Sequence, residues 1–74
     1  MHPYSEQVIR HRATDEEGKP RQILERVTFE RKPGVAEPVV INRRYDLSTG
    51  ESLNRVSETE FEDDASGARL QLQR

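Results

Sequence analysis

Residues 38–53 read PVVINRRYDLSTGESL and alternate apolar with polar side chains almost strictly until a glycine ends the pattern. Val39, Ile41, Tyr45 and Leu47 share one side of this period-two repeat, which is typical of a half-buried strand. Residues 48–50 then have the form of a three-residue hairpin loop, with a glycine where the backbone must become left-handed. The pattern predicts an antiparallel β-hairpin and a mainly β fold, but it indicates no function.

The chain is small and its apolar content is low. Its 74 residues make one domain near the lower size at which a single core sustains itself. Hydrophobic residues are 31% of the chain, charged residues are 35%, and the mean hydropathy is -1.00. Because burial of so few side chains barely offsets the ordering entropy, we expect sheet hydrogen bonds, a dimer partner or a bound target to contribute. The predicted core residues are Val8, Ile9, Ile23, Val27, Phe29, Val39, Ile41, Tyr45, Leu47, Leu53, Val56, Phe61, Leu70 and Leu72.

Turn-forming residues divide the chain into about five predicted strands. They are residues 5–12, 21–32, 39–47, 51–56 and 68–73. The hairpin register places Leu53 opposite the region of Tyr45 and Leu47. Residues 1–4 and 13–20 are predicted to be flexible, and the last strand is expected to close the sheet as an edge. The predicted fold is a single small antiparallel sheet.

Two segments also fit a helix. Residues 21–32 carry apolar side chains at helical as well as strand spacing, although the prolines on either side confine the segment to a strand-like length. Ser57 and Glu60 fit a capping box, and Val56 and Phe61 fit the hydrophobic staple that accompanies it. We therefore expect one helical turn over residues 57–61.

No group of residues has the composition of a catalytic or metal site. His2 and His11 lie far apart without cysteine partners, and only Asp15 stands at ligand spacing from His11. The acidic residues at 58, 60 and 62–64 lack the spacing of a calcium loop, so we interpret them as a solvated edge. No serine lies in a nucleophile elbow. The sequence predicts a non-enzymatic protein without a cofactor.

The absence of cysteine favours a reducing compartment, because a small secreted domain with so little core usually carries disulfides. The N-terminus lacks the basic-then-apolar order of a signal peptide. The longest apolar run, residues 39–41, is far too short for a membrane span. We therefore expect a cytoplasmic protein that does not associate with a membrane.

One pair of charges breaks the alternation of its strands. Arg43 shares the phase of the apolar residues in its strand, and Glu25 does so in the preceding strand. This phase predicts an ion pair between the two strands, or else a strip that faces a partner. The candidate interaction residues are Arg43, Arg44, Arg26, Glu25, Leu70 and Leu72.

The second half of the chain resembles a pattern in small uncharacterised bacterial proteins. The resemblance rests on residues 45–51 (YDLSTGE), 53–56 (LNRV), Phe61 and 66–70 (SGARL). It covers about half of the chain and implies no assigned activity.

The thin core and the expected edge strand predict a protein-interaction module that binds another chain or a second copy of itself through a sheet edge. The alternative is a nucleic-acid-binding accessory protein. It would use one sheet face lined by Arg10, His11, Arg12, Arg26, Arg43 and Arg44, although the net charge of the chain is -2 and acidic residues are interleaved.

Overall fold

The computed structural model describes residues 3–73, and every regular element in this range is a strand. The strands are β1 (Tyr4–Asp15), β2 (Pro20–Glu30), β3 (Val39–Leu47), β4 (Ser52–Arg55), β5 (Glu60–Asp63) and β6 (Arg69–Leu72). All neighbouring pairs are antiparallel, and β6 returns to β1 to close a small barrel. The mainly β prediction is confirmed, and the strand interpretation of residues 21–32 replaces its helical alternative.

The first three strands are much longer than the last three, so only one end of each long strand belongs to the closed barrel. β6 pairs with β1 only at residues 13–15, and β4 pairs with β3 only at Tyr45 and Asp46. Beyond these pairs, β1, β2 and β3 continue together as a three-stranded extension, which makes the molecule 48 Å long but only 25 and 17 Å across. We call residues 4–8, 26–30 and 39–44 the arm.

The core lies inside the barrel. Phe61 is 1% exposed, and its ring centroid lies 5.0 Å from that of the half-buried Tyr45 in a tilted arrangement. The buried cluster comprises Ala13, Ile23, Leu47, Leu53, Phe61 and Leu70. Four predicted core residues are instead exposed, namely Val8, Val39, Ile41 and Val56. Strand periodicity identifies a face but not what covers it: Val27, on the middle strand of the arm, is buried, whereas Val8, Val39 and Ile41 on its outer strands remain exposed.

The predicted helical turn over residues 57–61 is wrong. The Ser57 hydroxyl does accept hydrogen bonds from the N–H groups of Thr59 and Glu60, at 3.4 and 3.2 Å, as a capping residue would. However, the chain then enters β5, whose pairing with β4 and β6 continues the sheet and buries Phe61. Sheet pairing and core burial therefore outweigh the local helical signal.

The prediction that the last strand is an edge is also wrong. β6 pairs with β5 on one side and β1 on the other, and Leu70 is buried in the core.

The closed barrel also includes residues 13–15, which pair with β6. β1 continues to Asp15, Ala13 is fully buried, and only a short turn precedes β2 at Pro20. Met1 and His2, part of the segment predicted to be flexible, lie outside the described residues.

The predicted hairpin between β3 and β4 is confirmed in detail. Gly50 has a φ of 109°, and Leu53 pairs directly with Tyr45. The N–H of Gly50 donates to the carbonyl of Leu47 at 2.9 Å, and the N–H of Leu47 donates to Glu51 at 2.8 Å. The glycine therefore sets the register that buries Leu53.

Replacing Gly50 by alanine is expected to destabilise the protein by about 1–2 kcal/mol, because an L residue is strained at this backbone angle. No atom lies within 4 Å of the added Cβ, so the cost comes from the backbone and not from a clash. Urea unfolding of Gly50→Ala measures the loss. Ser48→Ala, in the same loop, is the control and should change stability by less than about 0.5 kcal/mol. Equal stabilities for the two variants would contradict the assigned turn.

Candidate interaction edge on strand β3

Exposed apolar side chains concentrate on the arm and on the loop at its tip. Val56 is the exception, since it lies in the turn between β4 and β5. The large exposed apolar residues of the arm and its tip loop are Tyr4, Val8, Val35, Val39, Val40 and Ile41. Three of these are consecutive on β3. Clusters of exposed apolar residues mark surfaces that bind other molecules more often than scattered ones do.

These three residues lie on a strand that lacks a partner on one side. We call residues 39–44 the β3 edge. β4 accompanies β3 only as far as Tyr45, and within residues 3–73 no other strand pairs with the β3 edge on the side away from β2. The edge therefore offers backbone groups that an additional strand could use.

Hydrogen bonds at the barrel end identify which backbone groups face outward. Ser48 donates its N–H to Gln22 of β2 at 3.0 Å, whereas Leu47 donates toward β4. Backbone groups of successive residues in an antiparallel strand point to alternate sides. The backbone N–H and C=O of Arg44 therefore point towards β2, and those of Arg43 point away from it. The N–H and C=O of Arg43 thus point out of the sheet edge.

A bulge interrupts the edge next to these groups. Asn42 pairs with Thr28 and Val40 pairs with Phe29, so Ile41 is an extra residue without a partner in β2. A bulge bends and twists its strand and redirects the side chains beside it. Here the bulge places the Val40 side chain on the same face of the sheet as Phe29 of β2. Both Val40 and Ile41 remain exposed.

Arg43 forms the ion pair with Glu25 that the alternation predicts. Arg43 Nη1 donates to Glu25 Oε2 at 2.5 Å, and His11 Nε2 lies 2.8 Å from Glu25 Oε1. Glu25 is buried, whereas His11 is partly exposed and the Arg43 side chain is 50% exposed. Both oxygens of a buried carboxylate therefore have partners, at the junction between the arm and the barrel.

Two opposing effects act on the pKa of Glu25. Burial raises the pKa, but hydrogen bonds with His11 and Arg43, together with their charges, outweigh burial and hold the pKa below its ordinary value of 4.5. Because the folded state holds this proton less tightly than the unfolded state, the carboxylate stabilises the fold above pH 4.5. That contribution is lost as the pH falls through the lowered pKa of the folded state.

Glu25→Gln is expected to lower the free energy of unfolding at pH 7 by about 1–2 kcal/mol, because hydrogen bonds to a charged group are replaced by neutral ones. The difference from the parent protein should shrink at pH 3, because the stabilisation by the carboxylate declines as the pH falls below 4.5 towards the lowered pKa of the folded state. Chemical unfolding at both pH values measures it. Glu58→Gln, at an exposed residue, should match the parent protein at both. If Glu25→Gln lowered the free energy of unfolding equally at pH 3 and pH 7, the effect would come from the shape of the side chain and not from its charge.

A second buried carboxylate orients two arginines on the opposite face of the arm. Asp46 Oδ2 accepts from Arg26 Nε at 3.2 Å and lies 3.3 Å from Arg44 Nε. Arg26 also reaches Glu6, at 3.4 Å. Asp46 is 8% exposed, while the Arg44 side chain is 64% exposed. The carboxylate thus fixes the base of Arg44 and leaves its outer part in solvent.

The predicted interaction residues are therefore divided between two places. Arg43, Arg44, Arg26 and Glu25 come together at and beside the β3 edge, whereas Leu70 and Leu72 lie in β6 inside the closed sheet. The alternation predicts Val39 and Ile41 in the core and Val40 on the opposite face, and it gives no signal for the role of Asp46. The available signal for the β3 edge was the uninterrupted apolar run of residues 39–41 beside two arginines. A strand with one covered face rarely has three apolar residues in succession.

No family model, curated protein or solved structure matches this chain. The resemblance to small uncharacterised bacterial proteins therefore stays a prediction. Within residues 3–73, no helix is long and apolar enough to span a membrane. In the same residues, no group of three or more histidine, aspartate or glutamate side chains is arranged to hold a metal ion.

Proposed function

We propose that this protein is a non-enzymatic interaction module that binds an extended segment of another protein as an additional strand on the β3 edge. The observation that carries the proposal is the coincidence of a free strand edge with three consecutive exposed apolar residues. Strand addition uses both features, because backbone hydrogen bonds supply affinity and side-chain contacts supply specificity.

The other free edge of the arm makes a useful comparison. Among the described residues, 3–73, no strand pairs with the outer side of β1 over residues 4–11, but this stretch includes Glu6, Arg10 and His11 among its side chains. Charged residues on an edge discourage pairing with another strand. The two charges of the β3 edge, Arg43 and Arg44, lie together at its barrel end, and residues 39–42 carry none. This difference supports β3 as the binding edge.

A short edge is consistent with a transient complex. Six residues of strand extend over roughly 20 Å, and such a contact covers less area than the about 1,200–2,000 Å² of stable interfaces. We therefore expect a partner that associates and dissociates readily.

Site-specific photo-crosslinking in the native cells tests the proposal. A photoreactive phenylalanine derivative replaces Ile41 in one protein and Val8 in another, since both residues are comparably exposed on the arm but only Ile41 lies on the β3 edge. We expect a discrete adduct with a second protein from position 41 alone, and we expect Val40→Lys to abolish it. Adducts from position 8 and not from position 41, or none from position 41, would overturn the proposal.

A further inference from the structure

The charge around the β3 edge constrains the kind of segment that can bind there. Residues 31–44, which comprise the loop at the tip of the arm and the edge itself, contain four basic residues and one acid. The bases are Arg31, Lys32, Arg43 and Arg44, and the acid is Glu37. With the rest of the arm included, which adds Arg26, Glu6 and Glu30, this end of the molecule has five bases against three acids, so it is positive while the whole chain carries a net charge of -2. A binding segment meets a locally positive surface.

Two of these bases are held in place with donors to spare. Arg43 uses Nη1 toward Glu25, and Arg44 uses Nε toward Asp46. A guanidinium carries five N–H donors, so each arginine has further donors available at its half-exposed or exposed outer end. The buried carboxylates thus restrict the side chains before a ligand arrives, which lowers the entropy cost of binding to them.

The two arginines lie on opposite faces of the strand, because they are consecutive in β3. A carboxylate partner for each would therefore also come from consecutive residues of an added strand, one on each face. On the other side of the bulge, residues 39–41 offer apolar contacts. Along β3, the edge thus changes from apolar to basic.

We infer that the segment bound at the β3 edge is an extended peptide with two consecutive acidic residues followed, in antiparallel orientation, by a run of β-branched apolar residues. This inference rests on the proposed function. The antiparallel orientation follows the arrangement of all the strand pairs in the sheet. The acidic pair meets Arg43 and Arg44, and the apolar run meets residues 39–41.

A second copy of this chain fits the same edge less well. Pairing two β3 edges centred near Arg43 and Arg44 places like charges opposite one another, which is destabilising. A register centred near Ile41 and Asn42 instead places the two arginines of each copy opposite apolar residues of the other, because the paired edges run antiparallel, and leaves the arginines without acidic partners. Charge complementarity therefore favours a different, acidic chain.

Nitrogen–proton correlation spectra of the full chain test the inference with two synthetic peptides. One carries two glutamates followed by threonine and three valines, so that the valines meet residues 39–41, and the other has lysines in place of the glutamates. We expect the acidic peptide to shift the amide signals of residues 39–44 and to bind at least about tenfold more tightly than the lysine peptide, with a difference that shrinks at high salt. Arg44→Gln should weaken binding of the acidic peptide several-fold, whereas Arg10→Gln, on β1, should leave it unchanged.

The outcomes separate the two proposals. If both peptides shift residues 39–44 with equal affinity, the preference for acid is overturned while strand addition at the β3 edge survives. If neither peptide shifts these residues at about 1 mM, or the shifts lie on β1 or the barrel, both proposals are overturned. If the signals of residues 39–44 change with protein concentration alone, a second copy occupies the edge and the inferred partner is wrong.

Discussion

Phe61→Ala is expected to lower the free energy of unfolding by about 3–5 kcal/mol, because it removes a fully buried ring and leaves a cavity that β5 cannot fill. Phe61 is 1% exposed and stacks against Tyr45, and it contacts the core from the strand that sequence patterns assign to a helical turn. A chain of 74 residues has a total stability of roughly 4–11 kcal/mol. The variant should therefore lose between about a quarter and all of the stability of the parent protein.

Circular dichroism and urea unfolding of the purified variant measure this effect. Val56→Ala is the matched control, since Val56 was assigned to the same core but is 47% exposed. Its stability should stay within about 0.5 kcal/mol of the parent protein. If Phe61→Ala unfolded no more easily than Val56→Ala, Phe61 would not lie in the core and the placement of β5 would be wrong.

Ala13→Asp is expected to destabilise the protein by about 3–5 kcal/mol, because it places a carboxylate, which must lose its water and needs more room than a methyl group, where the residue is completely buried. Ala13 pairs with Arg21 on one side and Leu72 on the other, at the seam where the barrel closes. A charge at this position should open the seam between β1 and β6. The measurement is the midpoint of thermal or urea unfolding.

Ala36→Asp supplies the control, since it adds the same charge at an exposed residue in the loop at the tip of the arm. It should leave the unfolding midpoint nearly unchanged. The comparison also distinguishes a buried Ala13 in β1 from the flexible loop that sequence patterns predict for residues 13–20. In that loop, Ala13→Asp would be as harmless as Ala36→Asp.

Local patterns predict the elements that local interactions determine. The hairpin around Gly50 depends on a φ angle and a register within a few residues, and both follow from the sequence. The Arg43–Glu25 ion pair also follows, because two off-phase charges on adjacent strands have few partners other than each other. The interpretation of residues 21–32 as a strand rests on similar evidence from flanking prolines and β-branched residues.

Closure of the barrel was beyond these patterns, since it depends on contacts between the two ends of the chain. Ala13 gives no periodic signal of its own, and only the return of β6 to β1 buries it. The same closure converts the expected edge strand into an internal one and draws Phe61 into the core. Val39 and Ile41 are the converse case, because they fit the alternation of a core face but remain exposed on the arm.

Amide hydrogen exchange of the isolated protein tests the central claim most directly, namely that the β3 edge is unpaired and open to an added strand. Arg44 and Tyr45 donate within the sheet, whereas the Arg43 N–H faces outward. We predict that the Arg43 amide exchanges at least about tenfold faster than its two neighbours in the monomer. Equal protection of all three amides in dilute protein would mean that the edge is already occupied, and would contradict the account.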